Sequence, residues 1–209
     1  MRKYKKLTLI AATRNLHKIQ EITKMLRGTG ICLKTLDDFP PVPEVKENGR
    51  TLAANAIKKA ETVSRAFGLP ALSDDSGLFV PSLGNLPGVR SARYAGPSCD
   101  YADNNTKLLR ALENATVSKR KAYFATVMAL ARPGRKTQTR IGKLAGRIIA
   151  QPQGKNGFGY DPVFVPAGFK QTLAEMKPAE KNKISHRARA LAKIAAYLRN
   201  ELEKRALKG

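Results

Sequence analysis

The sequence lacks the features that mark several specialised classes of protein. It has no tryptophan and only two cysteines, Cys32 and Cys99, whose spacing fits neither a metal motif nor a redox motif. We therefore expect a reduced compartment and no structural disulfide. No apolar run approaches the length of a membrane-spanning helix, and the short apolar run after the basic N-terminus predicts a first strand rather than a signal peptide. The sequence thus predicts a cytoplasmic protein with no membrane partner.

Acidic residues are also scarce in this chain. Its 209 residues include 39 lysines and arginines against 16 aspartates and glutamates, which gives a formal net charge of +23. Such a surplus favours binding of polyanions, such as nucleic acids or free nucleotides; a basic surface with no dedicated partner is the alternative. Seven of the 16 acids nevertheless fall between Asp37 and Asp75. A locally acidic segment in a basic protein suits a cation site surrounded by an anion-attracting surface.

The order of the predicted strands and helices indicates an α/β fold. Five segments have the apolar patterns of strands: 7–13, 31–36, 71–80, 122–131 and 138–150. Four others have the apolar spacing of helices: 16–26, 52–63, 101–113 and 186–202. Strands alternate with helices early and a long hairpin follows, so we expect a mixed β-sheet flanked by helices in two lobes. No composition shift marks a boundary, and we expect a single domain over residues 1–209.

Asp74 and Asp75 are adjacent carboxylates inside an apolar strand pattern. Two such charges repel each other unless a cation lies beside them, and the Ser76-Gly77 pair that follows predicts a local break in the strand. Mg²⁺ would answer the repulsion, because it prefers carboxylate oxygens and keeps waters for phosphate-bearing substrates. Glu47, just before the second helix, is the natural further ligand. The alternative is an Asp-Ser-Gly turn that closes the strand.

The segment from Thr13 to Lys18 falls at a predicted strand-to-helix turn. A helix N-terminus offers free backbone N–H groups and the positive end of the helix dipole, which suits phosphate. Thr13 and Asn15 add side-chain hydrogen bonds, and Lys18 adds positive charge. An ordinary helix cap followed by a solvated lysine explains the same residues without a ligand.

A glycine-rich segment, "GFGYD", is suited to a nucleotide base. Its glycines allow the backbone to approach a ligand closely. Phe158 or Tyr160 can stack on a base, and Asp161 can accept a hydrogen bond from one. The alternative is a tight turn whose aromatic residues anchor it in the core.

Donor side chains cluster at the start of the last predicted helix. With Ser185 as the helix cap, His186 and Arg187 fall on the first helical turn, and Lys181 lies shortly before it. A histidine at such a position is usually an ordinary surface or core residue, but a cluster of donors also suits the edge of a base.

Five motifs together resemble the inosine/xanthosine triphosphate pyrophosphatase family. They occur in that family's order and approximate spacing from about Leu7 to Leu198: "TRNLHK", "ENGRTLAANAIKKA", "SDDSGLFVPSLGNLPGVRSARYAG", "GFGYDPVF" and "EKNKISHRARAL". The resemblance implies an enzyme that hydrolyses deaminated purine nucleoside triphosphates (ITP, dITP, XTP) to the monophosphate and pyrophosphate with Mg²⁺, and so keeps them out of DNA and RNA. It also implies an elongated mixed sheet, two lobes with an active-site cleft, and a homodimer.

The same resemblance assigns roles to individual residues. The triphosphate-binding turn falls on Thr13, Arg14, Asn15, Leu16, His17 and Lys18. The metal-binding glutamate falls on Glu47, the proton acceptor and metal ligand on Asp75, and a substrate-contacting serine on Ser76. The base pocket falls on Phe158, Gly159, Tyr160, Asp161, Lys181, His186 and Arg187. Phe79 and Pro81 depart from the family, because many members carry carboxylates there, but neither position takes part in the chemistry.

These roles lead to an expected mechanism. Glu47 and Asp75 hold Mg²⁺ on the triphosphate, Asp74 supports the field of the site, and Asp75, or a water beside it, supplies the nucleophile. Because Arg187 can only donate hydrogen bonds, we expect it to face the 6-oxo group of hypoxanthine or xanthine.

Two other functions fit parts of the sequence. A basic nucleic-acid-binding module suits the charge, but aromatic residues make up only 6% of the chain and no basic stripe is interleaved with them. We therefore expect no specific nucleic-acid partner. A nucleotide pyrophosphatase of broader specificity fits the same motifs as the deaminated-purine enzyme.

Overall fold

The computed structural model describes residues 7–206, with side chains described up to residue 201. The domain predicted over residues 1–209 therefore extends at both ends outside the described residues. No helix between residues 7 and 206 combines the length and the apolar character needed to cross a membrane.

The described chain forms strands and helices that alternate in the N-terminal part, as predicted. The strands are β1 (Leu7–Ala11), β2 (Ile31–Lys34), β3 (Ala71–Val80), β4 (Leu86–Pro87), β5 (Lys121–Arg132), β6 (Arg135–Ile148) and β7 (Phe164–Pro166). The helices are α1 (Leu16–Leu26), α2 (Leu52–Phe67), α3 (Tyr101–Ala111), α4 (Pro178–Ile184) and α5 (His186–Ala206).

One mixed sheet contains these strands. Hydrogen bonds order six of them as β2-β1-β3-β5-β6-β7, and β4 pairs with β3. Strand β1 runs parallel to β2 and to β3, whereas β3 with β4 and β6 with β7 are antiparallel pairs. The predicted α/β class, with a mixed sheet and helices, is confirmed.

The chain divides into two compact units. The first comprises Met1–Asp75, Val127–Gly142 and Arg187–Gly209, and the second comprises Ser76–Thr126 and Lys143–His186. Two of the passages between them fall inside predicted motifs, between Asp75 and Ser76 and between His186 and Arg187.

The core of the first unit is built from the apolar faces of α1, α5 and the strands β1, β3 and β5. Its buried members include Leu9, Ile22, Leu72, Met128 and Leu191. Burying each such side chain stabilises the fold by roughly 1.5–3 kcal/mol relative to leaving it exposed. This core fixes the end of β1 and the middle of β3, from which several predicted site residues project.

The second unit has a core of its own, in which Leu78, Leu108, Phe124, Tyr160 and Phe164 are buried. The hydroxyl of Tyr160 donates to the backbone oxygen of Ser91 at 2.9 Å. Burial raises the pKa of Tyr160, so the hydroxyl stays protonated. Tyr160 thus serves as the aromatic core anchor that the sequence offered as an alternative for the "GFGYD" segment.

The predicted break at Ser76-Gly77 is wrong, because β3 continues through both residues to Val80. Glycine is required at position 77 for a steric reason. A Cβ atom at Gly77 would lie 2.3 Å from the backbone oxygen of Gly88, so any side chain would clash with a neighbouring backbone segment. The alternative of a turn that closes the strand after Asp75 is also wrong.

Helix α4 was not predicted. It is only seven residues long and has few apolar side chains, so it gives little periodic signal. Its start has recognisable capping chemistry, since Pro178 lies in the first turn and the carboxylate of Glu180 accepts from the backbone N–H of Lys177 at 3.0 Å. The helix matters here because it carries Lys181.

Candidate active site

Asp74 and Asp75 lie in the middle of β3, and both are buried, with 0% and 5% of their surface exposed. Consecutive side chains of a strand point to opposite faces of the sheet. The two carboxylates therefore meet different neighbours. This difference explains how adjacent acids are accommodated in an otherwise apolar strand.

Asp74 is surrounded by cations. Its Oδ2 lies 3.1 Å from Nζ of Lys18 and accepts from Nε of Arg187 at 3.2 Å. Arg187 also donates through Nη1 to Oε2 of Glu21 at 2.5 Å. Burial alone would raise the pKa of Asp74, but attraction to Lys18, Arg187 and Lys59 outweighs it and holds this pKa well below the usual range. Asp74 is therefore an ionised, structural carboxylate at neutral pH.

Lys18 is held in this network at the first turn of α1. Burial lowers the pKa of Lys18; Asp74 opposes this effect, whereas Lys59 and Arg187 add to it. An incoming anion would favour the charged form of Lys18, because nearby negative charge stabilises a buried ammonium. The cation cluster is therefore suited to receive phosphate.

Asp75 has a different environment. Nδ2 of Asn55 donates to its Oδ2 at 3.0 Å. Burial raises the pKa of Asp75, the charge of Glu47 raises it further, and Lys59 and the bond from Asn55 act in the opposite direction. A carboxylate with a raised pKa is a better proton acceptor than an ordinary one, which is the property that a general base needs.

Glu47 is held by a lysine from α2. Nζ of Lys59 donates to Oε1 of Glu47 at 2.5 Å and to the backbone oxygen of Asp74 at 2.8 Å. Lys59 is buried, whereas the side chain of Glu47 is 32% exposed, so the contact is only partly sheltered from solvent. Among the described side chains, those of residues 7–201, no three of His, Cys, Asp or Glu are grouped so that they could hold a metal ion. Glu47 and Asp75 form a pair of carboxylates in which the charge of Glu47 raises the pKa of Asp75.

The predicted phosphate turn caps α1 with its own side chains. Oδ1 of Asn15 accepts from the backbone N–H of Lys18 at 3.2 Å, and Oγ1 of Thr13 accepts from the N–H of Asn15 at 3.2 Å. Nη2 of Arg14 donates to the backbone oxygen of Val42 at 3.1 Å. The side chains of Arg14, Leu16 and His17 are exposed. The turn is thus both a helix cap and an accessible surface with a basic neighbourhood.

A pocket of the first unit joins this turn to Glu47. It is lined by Thr13, Arg14, Glu47 and Lys59, together with apolar side chains that include Val42 and Val63. Charged groups of both signs therefore face one cavity with apolar walls. Such a cavity is suited to a polar ligand with anionic and cation-binding parts.

The "GFGYD" segment in the second unit is organised by Asp161. Oδ2 of Asp161 accepts from the backbone N–H of Phe158 at 2.8 Å and from Nζ of Lys181 at 2.6 Å. The same ammonium lies 4.8 Å from the ring centroid of Phe158. Asn105 donates to the backbone oxygen of Gly159 at 3.0 Å. Since Tyr160 is used in the core, Phe158 is the aromatic residue of this segment that is suited to stacking.

Two further predicted residues also lie in the second unit. Oγ of Ser76 and Oγ1 of Thr126 share a hydrogen bond of 2.6 Å. The ring of His186 stacks on Phe124 with centroids 4.6 Å apart and an interplanar angle of 7°. The hydrogen bond fixes Ser76 and the stacking fixes His186, and residues that position a substrate need such support.

Comparison with known proteins decides the family. Residues 9–197 match the model of the Ham1 family. The chain belongs to the Ham1 family. It is 50% identical over 187 residues to a dITP/XTP pyrophosphatase of Lactiplantibacillus plantarum, and this match covers 90% of the chain and 92% of that protein. The resemblance drawn from the five motifs is thereby confirmed.

Solved structures support the same placement. A HAM1 protein from Coxiella burnetii is 41% identical with a TM-score of 0.85, and the match covers 93% of this chain and 99% of that one. A nucleoside-triphosphatase / dITP/XTP pyrophosphatase from Mycobacterium abscessus is 40% identical with a TM-score of 0.74, covering 90% and 98%. The mixed-sheet fold is therefore that of the Ham1 family.

The predicted site residues of this Ham1 family member form two groups, one in each unit. The first unit contains Thr13, Arg14, Asn15, Leu16, His17, Lys18, Glu47, Asp75 and Arg187. The second contains Ser76, Phe158, Gly159, Tyr160, Asp161, Lys181 and His186. The roles assigned to these residues by the family resemblance stay predictions.

Arg187 has partners that the sequence did not suggest. It was predicted to read the base together with Lys181 and His186, but it is 2% exposed and its guanidinium binds Asp74 and Glu21. A role in contacting the base stays a prediction, and the described contacts give Arg187 a second role, in fixing Asp74. An alanine variant would therefore disturb this network and would not isolate base recognition.

Sequence reasoning missed Glu21, Asn55 and Lys59. The signal for the last two was present, because Asn55 and Lys59 interrupt the buried apolar face of α2 at positions four residues apart. Polar side chains in an apolar helix stripe need partners. Glu21 gave no comparable signal, since its partner Arg187 is 166 positions away.

Proposed function

We propose that this protein hydrolyses deaminated purine nucleoside triphosphates, dITP and XTP among them, to the monophosphate and pyrophosphate, and so keeps them out of DNA and RNA. The proposal is carried by one observation above all: β3 holds a buried structural carboxylate and, next to it, a carboxylate with a raised pKa beside Glu47. The dITP/XTP pyrophosphatases of Lactiplantibacillus plantarum and other bacteria, at 44–50% identity, support the same activity.

We further propose that Glu47 and Asp75 hold Mg²⁺ together with the phosphates of the substrate. Magnesium is commonly bound through one or two carboxylates plus substrate phosphates and waters, so a pair of acids is sufficient. When bound, the ion would neutralise phosphate charge and polarise the bond to be broken.

The remaining steps fall to the chain's own residues. Asp75 accepts the proton of the attacking water, a contribution worth roughly 10²–10⁴-fold in rate. Lys18 and the N-terminal N–H groups of α1 hold the phosphates, and Asp74 keeps Lys18 in place through its ion pair. Positioning and preorganised charge then provide most of the remaining acceleration.

The second unit supplies the groups for the base. Phe158 stacks on the purine, while Asp161 and Lys181 fix the loop that carries Phe158. Ser76, held by Thr126, contacts the substrate next to the catalytic carboxylate in the chain. The deaminated base would be distinguished from adenine by its 6-oxo group, since a donor that faces this oxygen would meet another donor on adenine.

A nucleotide panel tests the proposed activity. We expect hydrolysis of dITP and XTP to monophosphate and pyrophosphate. We expect kcat/KM for ATP to be at least about 10-fold lower, because the donor that faces the 6-oxo group is left unpaired by adenine. Removing divalent cations with EDTA should abolish turnover, and added Mg²⁺ should restore it. Rates on ATP and GTP that equal those on dITP and XTP would indicate a broader pyrophosphatase. No hydrolysis, together with tight binding of duplex DNA, would indicate a nucleic-acid-binding module.

The net charge predicts a salt effect on the same reaction. A chain with a formal charge of +23 attracts a polyanionic substrate at long range. We therefore expect kcat/KM for dITP to fall as NaCl rises from about 20 to about 300 mM, because the Debye length shortens strongly over this range. We expect kcat to change less. The measurement needs initial rates at fixed free Mg²⁺. A kcat/KM that is independent of salt would contradict electrostatic steering.

Assembly and location are proposals that rest on the family resemblance and on composition. We propose a homodimer in the cytoplasm, with free nucleotides and no specific nucleic acid as partners. Sedimentation of the purified chain tests the first part, because a single monomeric species at assay concentration would contradict it.

A further inference from the structure

One turn of α2 holds the segment that carries Glu47. Nζ of Lys58 donates to the backbone oxygen of Lys46 and to Oδ1 of Asn48, each at 3.0 Å. Lys59 binds the carboxylate of Glu47, as described above. We call residues 46–49 the Glu47 segment. It has no regular secondary structure of its own, and three side chains of α2 contact it: Asn55, Lys58 and Lys59.

Asn55 makes the third contact, and this contact differs from the other two. Its Oδ1 accepts from the backbone N–H of Gly49 at 2.7 Å, while its Nδ2 donates to Oδ2 of Asp75 at 3.0 Å. The partners fix the orientation of the amide, because an N–H requires an acceptor and a carboxylate requires a donor. Asn55 thus connects the Glu47 segment directly to the carboxylate of Asp75 through one short, 1% exposed side chain.

The fit around Asn55 leaves little freedom. A Cβ atom at Gly49 would lie 2.6 Å from Oδ1 of Asn55 and 2.9 Å from Cβ of Ala54. The backbone of the Glu47 segment therefore approaches α2 as closely as glycine permits. Both ends of the Asn55 amide are engaged, so a shift of the segment would break a hydrogen bond inside the protein.

Asn55 also differs from Lys59 in its response to a cation. An ammonium bound to Glu47 is repelled by a divalent ion that binds the same carboxylate. The amide of Asn55 is neutral, and its two hydrogen bonds are compatible with a cation beside Asp75. When a cation binds, the link through Asn55 is the one that can persist unchanged.

We propose that Asn55 is a positioning residue that sets the separation of Glu47 and Asp75 and thereby the affinity of this pair for a divalent cation; the proposal rests on the proposed metal-dependent function. Replacing a residue that orients a metal ligand by hydrogen bonding to it typically lowers metal affinity or activity by about 10- to 100-fold. Asn55 meets the structural requirement for such a residue, since it binds Asp75 directly and the backbone N–H of Gly49, two residues after Glu47.

The test measures Mn²⁺ affinity in the absence of nucleotide, with Mn²⁺ as a paramagnetic substitute for Mg²⁺. The substitution Asn55→Leu introduces a side chain of nearly the same shape as asparagine and removes both hydrogen bonds. We expect the dissociation constant for Mn²⁺, from electron paramagnetic resonance titration, to rise by about 10-fold or more. Lys58→Met is the matched control, because it removes two bonds to the same segment without touching Asp75. We expect its dissociation constant to stay within about two-fold of the wild type.

A second variant keeps the test decisive if Asn55→Leu fails to fold. Gly49→Ala pushes the backbone of the Glu47 segment away from Oδ1 of Asn55. We expect this variant also to weaken Mn²⁺ binding, with its helix content unchanged by circular dichroism. Unchanged affinity in the folded variants would overturn the proposal, as would equal weakening by Lys58→Met. If the wild type binds no Mn²⁺ and hydrolyses no dITP, the proposed function fails as well. If it hydrolyses dITP but binds no Mn²⁺ without nucleotide, or if it does both and the variants match it, only the role of Asn55 fails.

Discussion

Replacing Asp75 by asparagine should abolish hydrolysis of dITP and leave the protein folded. The expected fall in kcat is about 10²–10⁴-fold, because asparagine cannot accept the proton of the attacking water. The substitution keeps the shape of the side chain, and its oxygen can still accept from Asn55. The variant should therefore separate the chemical role of this carboxylate from any role in folding.

The stability of the same variant should be unchanged or slightly higher. Burial and Glu47 raise the pKa of Asp75 above its usual value of 3.8. Stability linked to a raised pKa is fully present below the unfolded-state pKa and is lost as the pH rises through the folded-state pKa. Wherever Asp75 is ionised its charge therefore opposes folding, and Asp75→Asn should increase the free energy of unfolding by up to about 1 kcal/mol.

Rates with saturating Mg²⁺ and chemical denaturation at pH 7 measure both quantities. Asp37→Asn is the matched control, since Asp37 is an exposed acid of the same unit and should leave rate and stability close to the wild type. Near-normal kcat in Asp75→Asn would remove Asp75 from the role of general base. A large loss of stability would show that its charge is structural.

Local patterns made much of this fold predictable. Strand β3 was predicted over residues 71–80 and is observed as Ala71–Val80, because an apolar segment bounded by turn residues is a strong signal. Asn15 and Thr51 are residue types typical of helix caps, and each accepts from a backbone N–H three residues later. Such signals depend only on neighbouring residues, so the sequence alone contains them.

The division of labour between Asp74 and Asp75 could not be predicted in the same way. The two acids are adjacent in sequence, but they bind different partners. Asp74 binds Arg187, which is 113 positions away, and Asp75 binds Asn55 of α2. Which acid is paired depends on the face of β3 that each occupies and on the helices packed there. The sequence pointed to the pair of acids as a site, and the fold distinguishes the structural acid from the candidate base.

Replacing Asp74 by asparagine should have the opposite effect on stability. The pKa of Asp74 is lowered, so its contribution is present above the unfolded-state pKa, near 3.8, and is lost only as the pH falls through the lower folded-state value. The full contribution is therefore present at pH 7. Asp74→Asn would leave Lys18 and Arg187 buried without this counter-charge, and removing one partner of a buried ion pair costs about 3–5 kcal/mol.

Denaturation of the two adjacent variants under identical conditions makes the comparison direct. We expect Asp74→Asn to unfold at a much lower denaturant concentration than the wild type and Asp75→Asn at an equal or higher one. Because the two substitutions are chemically identical and adjacent in β3, a general sensitivity of the strand would shift both midpoints downwards. Equal destabilisation would therefore contradict the assignment of Asp74 as the structural carboxylate. Opposite shifts are expected because the ion pairs with Lys18 and Arg187 hold Asp74 ionised, whereas burial and Glu47 disfavour the charge of Asp75.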